Sequence, residues 1–249
     1  MARITVAIAI TASIVLAAAG SVSAATSANM NVRFTSPTTA EVVIEQRWDG
    51  QDAADFRQSL DVLFGNRDGR LSSEEMAAIL ENAKGDVAGR RAVNLYIDGQ
   101  AGLIGSDATV DAENAVGSAA TTTPVTLRHR LPVTFDGASS PMTFNATLFR
   151  GGSFELTAPD GWHVASAEGV SGLEIKEDGR RVAGGNASEN AVVRITLAEG
   201  PGQPTNDGPA EVLGGDGGSM IPVVGIVVVA VAALALAGVV AALRLRRRP

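Results

Sequence analysis

The feature that most constrains this chain is an uncharged stretch of 23 residues near its carboxyl end, from Ile221 to Leu243. It is rich in valine, alanine and leucine, and as a helix rising about 1.5 Å per residue it extends about 34 Å. A hydrocarbon core is about 30 Å thick, so this length crosses a bilayer with some tilt. A buried helix of a globular domain is shorter and keeps a polar face. We therefore predict one C-terminal transmembrane helix over residues 221–243.

The charges beside this span predict its orientation. Four arginines lie in the tail 244–249, and positive charge next to a span marks the cytoplasmic side. The body is therefore expected outside the cell membrane and the basic tail inside. An alternative is that the tail is a processing signal. The Gly-rich segment Gly214–Ser219, the apolar stretch and the arginines resemble the three-part tails of sorting transpeptidase substrates, but neither LPxTG nor PGF precedes the stretch.

The first 24 residues predict a secretory signal peptide. Arg3 precedes an apolar run from Ile4 to Ala19, and the small residues Val22-Ser23-Ala24 precede the expected cleavage site. An uncleaved anchor helix is the alternative, but this apolar run is short for a full span.

Composition excludes several classes of function. Residues 25–220 contain all 27 acidic residues and 15 of the 20 basic ones, so their net charge is −12. Such an acidic exterior argues against nucleic acid as a partner. The chain has no cysteine, which excludes disulfides, thiolate zinc sites and cysteine nucleophiles.

Residues 25–199 predict a mostly β body. Val125 to Phe135 alternates apolar and polar residues, although Pro132 suggests an edge or a bulge. Further short alternating segments are separated by turn signals about every ten residues, which is typical of a β-sandwich. Residues 52–84 instead show helical spacing at Phe56, Leu60, Leu63 and Phe64 and again from Met76. We expect a β-sandwich with a two-helix insertion, followed by a flexible Gly/Pro-rich stalk over residues 200–220.

The segment between the two predicted helices contains the sequence FGNRDGRLSSEE, residues 64–75, and over residues 53–83 the chain resembles an EF-hand. With Gly69 aligned to the invariant glycine of that family, Leu71 falls at its apolar position. The resemblance implies Ca²⁺ ligands at Asn66, Asp68, Arg70 (through its carbonyl), Ser72 and Glu75. Phe64 replaces the first aspartate, which implies weak binding, with a dissociation constant of about 10⁻⁴ to 10⁻³ M. The alternative needs no ion, because Ser72 and Glu75 also form a capping box.

Two further site predictions come from short motifs. Asn145 and Asn186 are N-glycosylation acceptors in form. The only histidines are His129 and His163, so a catalytic zinc site is not expected. The chain contains neither a nucleophile elbow nor a phosphate-binding loop, and we do not expect an enzyme.

Together these features predict a single-pass cell-surface protein that displays a β-sandwich binding or structural module, with weak Ca²⁺ binding. The layout resembles archaeal-type exported, membrane-anchored surface proteins. The expected partners are the membrane and envelope proteins or surface glycans. The alternative is a subunit of a larger membrane or envelope complex that packs through its span, where Gly225, Ala230, Ala233, Ala237 and Gly238 permit close helix contact.

Overall fold

The computed structural model describes residues 25–201, except residues 138, 150, 177, 186 and 188–190, and it leaves the side chain of Val93 undescribed. In chain order the elements are β1 (Ser27–Ser36), β2 (Thr39–Trp48), α1 (Gly50–Phe64), β3 (Arg70–Leu71), α2 (Ser73–Val87), β4 (Arg91–Ile97), β5 (Gln100–Ile104), β6 (Thr109–Glu113), β7 (Gly117–Ser118), β8 (Val125–Thr134), β9 (Met142–Thr147), β10 (Ser153–Thr157), β11 (Trp162–Glu168), β12 (Glu174–Ile175), β13 (Arg181–Gly185) and β14 (Val192–Glu199).

The first hairpin shows why alternating sequence becomes sheet. Every second residue of β1 is buried from Ala28 to Phe34, and β2 repeats this pattern from Ala40 to Trp48. Because successive side chains of a strand point to opposite faces, each strand has one buried and one wetter face. The two strands pair antiparallel, with Val32 opposite Val42 in the middle.

Twelve of the described strands form one sheet. Its order is β11-β14-β9-β4-β5-β8-β2-β1-β10-β13-β12, and β6 also pairs with β8. Only β1 and β10 pair in parallel among these strands. The prediction of a mostly β body is therefore confirmed, and its strands are linked along one path.

This sheet curls until its inner face encloses the main core. The amide of Val164, on β11 at one end, donates to the carbonyl of Gly179, in the turn after β12 at the other end, over 2.8 Å. Phe34 on β1 and Phe144 on β9 are four strands apart in the sheet order, yet their ring centroids are 5.6 Å apart. The two halves of the sheet therefore pack face to face.

Pro132 lies in an interior strand, contrary to the expectation of an edge or a bulge. Strand β8 pairs with β2 along its whole length and with β5 and β6 on its other side. The carbonyl of Pro132 accepts from the amide of Gly105, which lies between β5 and β6. A proline has no amide hydrogen, and here that lack falls where the chain passes from one short partner strand to the next.

The predicted two-helix insertion is present, and its helices run over Gly50–Phe64 and Ser73–Val87. Its inner residues form a second core against β2, β6 and β8, in which the rings of Trp48 and Phe56 stack with centroids 4.0 Å apart. The helical spacing was misleading at the end of α1, where Leu63 and Phe64 are 44% and 43% exposed. The covering strands end before the last turn of this helix, so nothing buries them.

A buried arginine attaches the insertion to the segment that precedes β8. Arg57 on α1 is only 1% exposed, and its guanidinium donates to the carbonyls of Ala53, Asn114, Thr121 and Thr123 at 2.5 to 3.3 Å. Burial lowers the pKa of Arg57 because the charged form loses its hydration. Four backbone acceptors replace that hydration and hold residues 114–123 against the helix.

No helix in residues 25–201, as far as they are described, is long and apolar enough to cross a membrane. The predicted signal peptide, the stalk beyond Pro201, the transmembrane helix and the basic tail all lie outside the described residues.

Candidate functional site: the loop between α1 and α2

The predicted Ca²⁺ ligands lie in the turn between the two helices, and a residue outside the predicted set organises this turn. Asp61, in the last turn of α1, is buried, and its two carboxylate oxygens accept from the amides of Arg67 and Gly69, each at 2.9 Å. Gly65 permits this approach, because a Cβ there would lie 2.9 Å from the Oδ1 atom of Asp61. Asp61 therefore holds the loop where the family pattern expects an acid at residue 64.

The middle of the loop is closed by side chains that bond to the next backbone amides. The Oδ1 of Asn66 accepts from the amide of Asp68, and the Oδ1 of Asp68 accepts from the amide of Arg70, both at 2.9 Å. Gly69 adopts a left-handed backbone with φ of +81°, which glycine accepts without strain. The side chains of Asn66 and Asp68 also contact each other, Nδ2 to Oδ2, over 3.2 Å.

Glu75 closes the far side of the loop and begins α2. Its Oε1 accepts from the amide of Asn66 and its Oε2 from the amide of Ser72, both at 2.9 Å, while the Ser72 Oγ accepts from the amide of Glu75. The capping box predicted as the alternative is thus present. These bonds to Ser72 and Asn66 lower the pKa of Glu75, because they stabilise its charged form.

A short strand pair anchors the loop to the rest of the body. Arg70 and Leu71 form β3, which pairs antiparallel with Ser118 and Gly117 of β7. Leu71 is buried in the second core, as its place in the motif predicts. The amide of Ala119 also donates to the carbonyl of Gly69 over 2.9 Å. The loop is therefore held at its start, middle and end.

The donor types in this loop suit Ca²⁺, but their present arrangement serves the backbone. Asp61, Asp68, Glu75 and the Asn66 amide supply hard oxygen atoms, which calcium prefers. Within the described residues, no group of three or more acidic or histidine side chains is placed to hold a metal ion. The carboxylates bond to loop amides instead, so Ca²⁺ binding stays a prediction. Asp61 could have been found from the sequence as the acid one helical turn before Phe64.

The remaining predicted residues lie far from this loop or outside the described part. Asn145 is half-buried on the outer face of β9, between Tyr96 of β4 and Arg194 of β14. Asn186 is outside the described residues, and glycosylation at both positions stays a prediction. His163 is half-buried, with Nδ1 3.1 Å from the carbonyl oxygen of Gly200. His129 is buried within the body, as the apolar face of β8 predicts.

Comparison with known proteins finds no match for this chain, either among protein-family models or among curated proteins.

Proposed function

We propose that this chain is a single-pass cell-surface protein that displays a binding or structural module outside the membrane. The module is residues 25–199, and we class it as a β-sandwich whose two layers are halves of one curled sheet. The ring contact between Phe34 and Phe144, from strands far apart in the sheet order, supports this class. The anchor is the predicted helix 221–243.

The observation that carries the proposal is the contrast between the two parts of the sequence. The 23-residue stretch has no charge, whereas residues 25–220 carry a net charge of −12. Apolar side chains favour lipid, and a strongly acidic body must stay in water. The body folds around its own apolar cores without any disulfide, which suits display as an independent module.

Exposure of the body to added protease on intact cells tests the topology. The full chain is expected in the membrane fraction, with the body cut by protease and the basic tail protected. The double variant Val231→Arg/Leu234→Arg should leave the membrane, because each charge at the centre of a span costs about 3 kcal/mol. The conservative pair Val231→Ile/Leu234→Ile is the control and should stay. Shielding of the body in intact cells would refute the proposal.

Weak Ca²⁺ binding at the loop is the second element of the proposal. Asp61, Asp68 and Glu75 offer carboxylate oxygens around one turn, and their bonds to amides leave each oxygen further lone pairs. Calorimetric titration of the full chain should show binding with a dissociation constant of about 10⁻⁴ to 10⁻³ M.

The control for this titration removes an acid from the loop and one from elsewhere. Asp68→Asn should weaken Ca²⁺ binding several-fold, whereas Asp136→Asn, at an exposed position after β8, should not change it. No heat and no rise in melting temperature at millimolar Ca²⁺ would leave the capping box as the sole role of Glu75.

A subunit of a larger envelope complex is the second candidate. The exposed apolar residues Val62, Leu63 and Phe64 favour it, because they lie together where α1 ends and lack cover among the described residues. Leu63→Ser/Phe64→Ser should reduce the size of the native complex in gel electrophoresis of solubilised membranes. Leu103→Ser, at another exposed apolar residue, is the matched control. An unchanged size in both variants would oppose this candidate.

A further inference from the structure

A concave surface of about 420 Å³ lies at one end of the sheet, where β1 and β10 end and β13 begins. Three arginines line it in a body that is otherwise rich in acids. We call it the arginine notch and define it by Arg33, Thr157, Asp160, Asp178, Arg180 and Arg181.

The strand register brings two of these arginines to the same place. Arg33 lies directly opposite Thr157 in the parallel pair of β1 and β10, and Thr157 lies opposite Arg181 in the pair of β10 and β13. Neighbouring strands are about 4.8 Å apart, so the backbones of the two arginines are about 10 Å apart, with the threonine between them. Both side chains are long enough to reach the space above Thr157.

The carboxylates of the notch do not use all of its positive charge. Arg180 pairs with Asp160 over 2.7 Å, and Arg181 pairs with Asp178 over 3.5 Å. The Oδ1 of Asp178 also accepts from the backbone amides of Arg180 and Arg181. Arg33 takes part in no ion pair among the described residues. Three guanidinium groups thus face two carboxylates, one of which is bonded to the backbone.

An unused donor within the notch gives a second, independent observation. The Nε of Arg180 is buried and has no hydrogen-bond partner among the described residues. A buried donor without an acceptor is uncommon and costs free energy. The rest of this side chain is held by the carbonyl of Ala158 and by Asp160, so the guanidinium is fixed in place.

We propose that the arginine notch binds an oxyanion: a carboxylate, sulfate or phosphate group, free or carried by an acidic sugar. Guanidinium groups present forked N–H donors that match such groups, and a threonine hydroxyl adds a neutral donor. The notch has the volume of a small-molecule site. This inference does not depend on membrane anchoring or on Ca²⁺, so its failure leaves the proposed function untouched.

Titration calorimetry of the full chain at constant ionic strength tests the proposal with three probes: inorganic sulfate, inorganic phosphate and glucuronate. Saturable binding of one equivalent of at least one probe is expected. Arg33→Gln should weaken it at least tenfold. Arg194→Gln, at an exposed arginine of β14 that also has no ion pair among the described residues, is the matched control and should bind as the unaltered chain does.

The outcomes separate the sources of the anion and include the failures. Tighter binding of glucuronate than of the inorganic ions indicates an acidic sugar, and the reverse order indicates a free ion. Arg181→Gln serves as a second test if Arg33→Gln does not fold. The proposal is overturned if no probe saturates, if the control weakens binding as much as Arg33→Gln, or if binding survives both notch variants.

Discussion

His129 makes the stability of this body depend on pH, and replacing it should remove that dependence. It lies in the middle of β8, opposite Ile44 of β2 and Val110 of β6. Its neighbours on the same face, Leu127 and Leu131, belong to the second core and to the main core respectively. His129 is 2% exposed, and neither ring nitrogen has a hydrogen-bond partner among the described residues. It therefore lies at the boundary of two apolar cores with its polar atoms unsatisfied.

Burial determines the size and the sign of the effect. Desolvation lowers the pKa of His129 from 6.5 to about 4, because the charged ring is disfavoured in the core. Between these values the unfolded chain binds a proton that the folded chain does not. Stability from the neutral ring is therefore fully present above pH 6.5 and is lost as the pH falls towards 4. A difference of about 2.5 pKa units corresponds to about 3 kcal/mol, at about 1.4 kcal/mol per unit.

The measurement is the free energy of unfolding in urea, for the full chain in mild detergent, at several pH values from 7.5 to 4. Compared with His129→Leu, the unaltered chain should lose about 3 kcal/mol more over this range. Effects of the carboxylates are common to both chains and cancel in the difference. At pH 7.5 the variant should be at least as stable, because two unsatisfied buried nitrogens are gone. The control His163→Leu should keep the extra loss, because His129 remains. Parallel pH profiles for the unaltered chain and His129→Leu would falsify the reasoning.

Three further predictions concern the insertion and the sheet. Arg57→Met should lower the free energy of unfolding by about 3 kcal/mol or more in urea, because it leaves buried carbonyls without donors, whereas Arg47→Met, at an exposed arginine, should cost about 1 kcal/mol at most. Asp61→Asn should cost about 1–2 kcal/mol and speed hydrogen exchange of the two loop amides that this carboxylate accepts from, whereas the exposed Asp136→Asn should do neither. Gly102→Ala should lower the melting temperature and cost about 1–3 kcal/mol, because its new methyl group meets a valine on β8 and the phenylalanine just after it; an unchanged melting temperature would refute this packing.

Much of the local structure could be read from the sequence, because it depends on spacing between near neighbours. The alternation in β1, β2 and β8 and the change to helical spacing after Trp48 both follow from the geometry of a single strand or helix. The capping box of α2 was visible for the same reason, since Ser72 and Glu75 are three residues apart.

The errors occur where burial depends on another element. The spacing of Leu63 and Phe64 assigns them to one side of α1, but it does not show that the covering layer ends before them. Pro132 was expected at an edge or a bulge because its strand partners were unknown. Asp61 was missed because its amide partners are six and eight residues away, beyond the reach of a motif defined by position.

By itself, the sequence determined which segments extend, which coil, and which stretch is apolar enough for lipid, because these properties are summed over residues close along the chain. Only the tertiary structure decided which strands become neighbours. The parallel pairing of β1 with β10 joins residues more than a hundred positions apart, and the arginine notch exists only because of it. The physical reason is that register is chosen by the packing of the whole core, and no local spacing encodes that choice.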